Sequence, residues 1–141
     1  MKLNVQLNGV QEVKQALGMM SKKIMDSIFV AQQETAIIGE EFAKNAAPYY
    51  TGAVASNISN HQLNQYAWVI TSQTPSSDNL PINVLFDTGE YEIITGQKPR
   101  DINTLFFMQQ TSIFVSDEYS RRLNFIIKSN LKKWDVNYNG G

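Results

Sequence analysis

The chain has 141 residues, of which 43% are hydrophobic, and its 12 basic and 13 acidic side chains leave a formal net charge of −1. This length predicts one domain with a modest core, and the charge balance excludes a general basic field that would attract nucleic acid. The absence of cysteine excludes disulfides, thiolate zinc sites and a cysteine nucleophile. No apolar run approaches the roughly 18 residues of a membrane span, so we expect no membrane insertion.

The N-terminal third predicts a strand followed by a long helix. Apolar residues alternate with polar ones from Met1 to Leu7, which is the period of a half-buried strand. From residue 10 to residue 46 an apolar stripe recurs with the helical period. That helix would be about 55 Å long at 1.5 Å per residue, whereas a compact domain of this size is about 30 Å across. We therefore expect the helix to bend or project, and a second copy to cover part of its stripe.

The middle of the chain predicts a small sheet. Ala47-Pro48 stops the helix, and residues 66–71 alternate bulky and small side chains as a strand does. Residues 82–87 alternate similarly and would pair with that strand as an antiparallel hairpin, across a polar loop at residues 74–79. Further strands are predicted within residues 53–63, at 91–95 and, less distinctly from helix, at 102–108.

The C-terminal third predicts a last helix from Ser116 to Trp134, with Ser116 as its cap and Val115, Tyr119 and Leu123 on its apolar face. The predicted fold class is therefore α+β, with long N-terminal and C-terminal helices packed on a small, mainly antiparallel sheet. We expect one domain over residues 1–136 and a flexible tail at 137–141.

The residues that could carry chemistry are few and scattered. His61 is the only histidine and has no companion ligand or nucleophile motif near it in the sequence. Asp87 and Glu90 flank Gly89 and could hold a cation, although no calcium-binding spacing surrounds them. We accordingly predict no catalytic, metal-binding or cofactor-binding residue, and a protein that is not an enzyme.

Charge placement leaves two interpretations open. Residues 78–101 carry more acidic than basic side chains, whereas residues 117–133 carry more basic ones. Both segments could be solvated surface. Alternatively, the acidic segment of one copy could meet the basic helix of the next, with charge setting the register.

One segment and the order of elements carry a family resemblance. The segment Ala47-Pro48-Tyr49-Tyr50-Thr51-Gly52-Ala53-Val54-Ala55-Ser56-Asn57-Ile58 resembles the Ala-Pro-x-x-Thr-Gly-x-Leu-x-x-Ser-Ile motif of the tail-completion, or neck, proteins of lambda-like long-tailed bacteriophages. Members of that family begin with a short strand, a glycine-containing turn and a long helix, as this chain is predicted to do. Leu85-Phe86-Asp87-Thr88-Gly89 loosely fits the family's next turn.

The resemblance implies a structural protein of the virion neck, made in the bacterial cytoplasm, that joins the head to the tail or completes the tail. It implies a ring of copies, commonly a hexamer, whose partners are the tail tube protein or the head closure protein. No membrane, cofactor or sequence-specific nucleic acid is expected. The side chains expected at the interfaces are Tyr49, Tyr50, Thr74, Pro75, Ser76, Ser77, Asp78, Asn79, Tyr91, Lys98 and Arg100.

Two other classes remain open. The chain could be a non-catalytic α+β module that binds another protein or a small ligand. A small hydrolase or nuclease would depend on His61 and the turn carboxylates. Ring formation on concentration would favour the structural class, and loss of function without loss of assembly on substitution of His61 would favour the enzyme.

Overall fold

The structure is a computed structural model that describes residues 1–7, 22–49, 52–76 and 79–139. Strand β1 spans Lys2–Leu7, β2 spans Ile58–Asn64 and β3 spans Ala67–Gln73. The α-helices are α1 (Lys22–Ala46), α2 (Ala53–Ser56), α3 (Ile82–Thr88), α4 (Tyr91–Thr95) and α5 (Phe107–Asn139), and a 3-10 turn covers Ile102–Thr104. The predicted α+β class is confirmed, with the two long helices packed on an antiparallel sheet.

The sheet has the order β1-β3-β2, and β3 pairs antiparallel with both neighbours. Val5 and Leu7 of β1 and Ile58 of β2 are buried in the core with Ile70 of β3, which places the apolar face of the sheet against the helices. Alternation puts polar side chains such as Gln6 on the opposite face. The strand predicted at the N-terminus and the one predicted at residues 66–71 are both confirmed.

Helices α1 and α5 cover the apolar face and cross closely at Gly39. A Cβ built on Gly39 would lie 2.6 Å from Val115 Cγ2 and closer still to Ile70 Cδ1, so only glycine permits this approach of helix to sheet. Near the crossing, Phe42 and Phe114 stack with ring centroids 4.4 Å apart. The helix pair and the central strand thus share one continuous core.

The described part of α1 is largely covered by its own subunit. Its buried residues contact the sheet and α5, and Val30 and Ile37 are the large apolar side chains of this helix that stay about half exposed. Lys22–Ala46 would be about 38 Å long at 1.5 Å per residue. Over these residues, the expectation that a second copy must cover the stripe is therefore not supported. The predicted helical residues 10–21 lie outside the described residues.

The strand predictions for residues 82–87 and 91–95 are wrong, since both segments are helical. Ile82, Leu85 and Phe86 are buried, and their spacing is that of one helical face as well as partly that of a strand. The predicted hairpin is therefore replaced by one between β2 and β3. A strand was predicted within residues 53–63. Strand β2 lies in that range except for its last residue, Asn64, and it follows the single turn of α2.

The prediction for residues 102–108 is also wrong. A 3-10 turn is followed by Phe106, which adopts a positive φ of 60°, and α5 begins at Phe107. The last helix therefore starts nine residues before Ser116, which lies inside it. Its cap comes from elsewhere in the chain, because Asp87 Oδ1 accepts hydrogen bonds from the backbone N–H of Met108 (2.8 Å) and Gln109 (3.1 Å). The helix extends to Asn139, and the flexible tail at 137–141 stays a prediction.

Candidate functional site

A cleft of about 340 Å³ lies where the end of α1 meets α4 and the loop before the 3-10 turn. It brings together four of the side chains predicted to form an interface, Tyr49, Tyr91, Lys98 and Arg100. These residues are up to 51 positions apart in the sequence, so the fold has assembled them. Pro48, Phe86 and Pro99 supply apolar wall.

The end of α1 positions Tyr49. The backbone N–H of Ala47 still donates to Ala43 O at 2.9 Å, but Pro48 has no N–H to continue the helix. Pro48 is itself buried, and Tyr49 follows with 74% of its surface exposed. The Ala-Pro pair therefore ends the helix, as predicted, and presents a tyrosine at the mouth of the cleft.

Helix α4 positions Tyr91 and the basic loop. The ring of Tyr91 is buried against Phe86, with centroids 4.3 Å apart, and its hydroxyl is 3.5 Å from Gln97 Oε1. Gly96 ends α4, with its N–H donating to Glu92 O at 2.8 Å. The chain then runs along the cleft through Lys98 and Arg100.

The rim of the cleft carries unneutralised positive charge. Lys98 and Arg100 are exposed, and neither forms an ion pair with any residue in the described part of the chain. Asp101 lines the same cleft and uses Oδ1 to accept the backbone N–H of Asn103 at 2.9 Å, so the charged lining residues, two basic and one acidic, leave the cleft with a net positive charge. Two free cations beside tyrosines and prolines suit an acidic or carboxylate-bearing polypeptide, which would gain charge-assisted hydrogen bonds and apolar contact together.

Isoleucine side chains are exposed in the segments next to the cleft. Ile93 and Ile94 of α4 are 81% and 54% exposed, and Ile102 in the 3-10 turn is 73% exposed. Sequence reasoning missed them because residues 91–95 and 102–108 were assigned to strands with buried faces. The sequence carries no distinctive signal for this exposure: Ile93 and Ile94 are adjacent, but so are Leu85 and Phe86, which are both buried. We call Ile93, Ile94 and Ile102 with Tyr49, Lys98 and Arg100 the docking surface.

The other predicted interface residues do not line this cleft. Thr74 is structural: its hydroxyl lies 2.9 Å from both Met1 O and Asn83 Oδ1, and the N-terminal ammonium donates to it at 3.0 Å. Pro75 is buried, whereas Ser76 and Asn79 are exposed. Tyr50, Ser77 and Asp78 lie outside the described residues. Thr74, the first residue of the polar loop at 74–79, thus links the N-terminus to α3 through hydrogen bonds.

Three residues were considered as possible catalytic or metal-binding groups. Of these, His61 is exposed on β2. Asp87 is 7% exposed and is occupied as the cap of α5, while Glu90 precedes α4 and is exposed. Within residues 1–7, 22–49, 52–76 and 79–139, no group of three or more His, Cys, Asp or Glu side chains could hold a metal ion.

A larger open groove of about 1020 Å³ runs between the N-terminal part of α1 and the middle of α5. Val30 and Phe125 contribute its exposed apolar surface. Its rim is bridged by an ion pair between Arg122 and Glu34, with N and O 2.5 Å apart. No helix among the described residues is long and apolar enough to cross a membrane.

Comparison with protein-family models, with curated proteins and with solved structures found no match to this chain.

Proposed function

We propose that this protein is a structural subunit of the bacteriophage neck, which forms a ring that completes the tail or joins it to the head. The observation that carries the proposal is the docking surface, where exposed isoleucines stand beside a cleft with free cations. A side chain such as Ile93, at 81% exposure, gains free energy only when something covers it. Ile93 and Ile94 are neighbours in α4, and exposed apolar side chains next to one another support a role in binding another protein.

The energy available is enough for a specific contact. Fully burying one isoleucine side chain is worth roughly 1.5–3 kcal/mol, so covering Ile93, Ile94 and Ile102 could supply several kcal/mol before the costs of association. Lys98 and Arg100 at the edge would add orientation and association rate more than affinity. The docking surface thus combines apolar and charged side chains, as protein interfaces do.

The order of elements adds support from the family resemblance. A short strand, a long helix ending at Ala47-Pro48, a small sheet and a final long helix follow one another in this chain. In this role, the tail tube protein or the head closure protein would cover the docking surface. The protein would then be found in the neck of the virion.

Replacement of the exposed isoleucines tests the proposal. We expect Ile93→Ser combined with Ile102→Ser to leave the free energy of unfolding within about 0.5 kcal/mol, since both side chains face solvent in the subunit. The same variant should fail to join heads to tails in an assembly assay. Ile113→Ser is the matched control: this isoleucine is also exposed, but it belongs to α5 and is not part of the docking surface. Normal joining by the double variant would contradict the proposal.

The cleft itself favours a second candidate, a non-catalytic module that binds a protein or a small ligand. Its volume lies at the lower end of the range for small-molecule pockets, and its free cations would orient an acidic ligand. Light scattering discriminates the two: a subunit that forms rings when concentrated supports the neck protein. A subunit that stays monomeric while binding an acidic ligand through Lys98 and Arg100 supports the module.

A further inference from the structure

The outer edge of β2 has unpaired backbone groups. In an antiparallel pair, residues alternate between those whose N–H and C=O face the partner strand and those whose groups face away. The N–H of Gln73 donates to Asn57 O at 3.1 Å, which fixes the phase of this alternation. The backbone groups of Asn60 and Gln62 therefore face away from β3, and no described residue bonds to them.

The outer edge of β1 is open in the same way. The N–H of Thr74 donates to Met1 O at 3.1 Å, so the backbone groups of Asn4 and Gln6 face away from β3. None of them has a hydrogen-bond partner in the described part of the chain. Among the described residues, the sheet is thus unpaired on both sides, and its two edges have nearly equal lengths of six and seven residues.

Neither edge carries much protection against pairing. Natural edge strands are commonly blunted by lysine, proline, inward charges or bulges. Strand β2 has the sequence ISNHQLN, with no proline and no Lys, Arg, Asp or Glu, and its one irregularity is a register shift between Gln62 and Asn64. Strand β1 has only Lys2, at its beginning. An exposed uncharged edge of this kind is a template for another strand.

We propose that β1 of one copy pairs with β2 of the next copy, so that the sheets of neighbouring subunits become continuous. Both strands run antiparallel to β3, so this junction is parallel when the helices of both copies lie on the same face of the joined sheet. It is the one pairing that occupies both edges of every subunit with a single type of contact, and repeated head-to-tail contacts either close a ring or extend a filament. The inference rests on the proposed ring and specifies the contact that would build it.

The two faces of the sheet would continue across the junction. On the helix side, Leu7 and Ile58 are buried core residues near the two edges. On the other side, Gln6 and His61 are exposed and both lie opposite Val69. The other helix-side residues of β2 are Asn60 and Gln62, so on that side the apolar residues of β1 would meet one apolar residue, Ile58, and two polar ones. On the other side, Gln6 would meet His61 or Ser59, and no acidic or basic side chain would oppose a like charge.

Disulfide crosslinking tests this contact directly, since the chain has no cysteine of its own. Positions 6 and 61 flank Val69 on opposite sides, so within one subunit they are two strand spacings apart, about 9.5 Å. A disulfide needs Cα atoms within about 7 Å, so a bond between Cys at these positions must join two copies. Two double variants, Gln6→Cys with His61→Cys and Gln6→Cys with Ser59→Cys, test two registers of the junction.

We expect at least one pair to give, on oxidation of the concentrated protein, a ladder of linked species longer than the dimer. The single variants should give no ladder, and Gln6→Cys with Gln33→Cys is the matched control, because Gln33 is exposed on α1. Dimers from His61→Cys alone would mean that β2 pairs with β2, and would overturn the inference. Absence of a ladder from both pairs would also overturn it.

A backbone substitution separates this inference from the proposed function. Asn60→Pro removes the outward N–H, at an edge position where proline is tolerated. It also removes the hydrogen bond from Asn60 Nδ2 to Glu40 Oε2 at 2.7 Å, so Asn60→Ala, which loses only that bond, is the control. We expect loss of the oligomer with Pro and its retention with Ala. Rings that still form with Asn60→Pro would overturn the edge contact without contradicting the proposed role in the neck. Normal joining of heads to tails by the docking-surface variants would contradict that role without contradicting the edge contact.

Discussion

Asp87 is expected to stabilise the fold by capping a helix that begins 20 residues later in the sequence. Its Oδ1 accepts the N–H groups of Met108 and Gln109, and its backbone carbonyl accepts from Gln109 Nε2 at 2.7 Å. Removing a capping side chain costs about 0.5–2 kcal/mol, and removing a carboxylate from the positive end of a helix adds about 0.3–1 kcal/mol. Because Met108 is buried, its N–H would not regain a bond to water readily. We expect Asp87→Ala to lower the free energy of unfolding by about 2–3 kcal/mol.

Asp87→Asn separates geometry from charge. The amide oxygen can still accept both N–H groups, so only the interaction of charge with the helix dipole is lost, and the expected cost is about 1 kcal/mol or less. Urea denaturation followed by circular dichroism measures both values, provided that the m-value is unchanged. Asp101→Ala is the control, since Asp101 is exposed and caps only the 3-10 turn. An Asp87→Ala variant within about 0.5 kcal/mol of the unmodified chain would refute the capping argument.

Three further substitutions test the packing. Gly39→Ala should destabilise by about 1–3 kcal/mol through overpacking, as measured by urea denaturation. Its cost should be smaller when it is made in a Val115→Ala background, because Val115 Cγ2 is then removed from the clash; an equal cost in both backgrounds would argue against the close crossing. Thr74→Val should cost about 1 kcal/mol, because Asn83 and the N-terminus lose a shared hydroxyl, and unchanged thermal unfolding would contradict this. Gly89→Ala places a side chain at φ 75° and 2.8 Å from Phe106 Cζ. We expect the free energy of unfolding to fall by at least about 1–2 kcal/mol from the backbone conformation alone. A stability equal to that of the unmodified chain would be inconsistent with this geometry.

The elements that the sequence predicted well are the ones with long or strict periodicity. The alternation from Met1 to Leu7 and the helical stripe over Lys22–Ala46 each repeat often enough to exclude the other period. The end of α1 followed from the chemistry of Pro48 alone. These features predicted the α+β class and the long helices that pack on the sheet.

The segments that were predicted wrongly are short and are decided by tertiary contacts. In Ile82–Thr88, the apolar residues fit a strand at 82, 84 and 86 and a helix at 82, 85 and 86. The start of α5 could not be found locally, because its cap is the distant Asp87 and the preceding residue, Phe106, has an unusual φ. No local sequence pattern indicates that the cap of α5 is a carboxylate 20 residues earlier in the chain.

The fold brings together part of the set of residues predicted at interfaces, and their role at an interface stays a prediction. Tyr49, Tyr91, Lys98 and Arg100 do line one cleft, because the ends of α1 and α4 both deliver loops to the same side of Phe86. The exposure of Ile93 could not be foreseen once its segment had been taken as a strand. Thr74 belongs to the polar loop that was expected at an interface, and its hydroxyl forms hydrogen bonds within the subunit.

Electron microscopy of phage particles that lack this protein tests the central proposal most directly. A subunit that joins heads to tails should leave DNA-filled heads lying beside finished, unattached tails, and supplying the protein to such an extract should restore joined particles. The Ile93→Ser, Ile102→Ser variant should not restore them. Complete, infectious virions without the protein would contradict the proposed role.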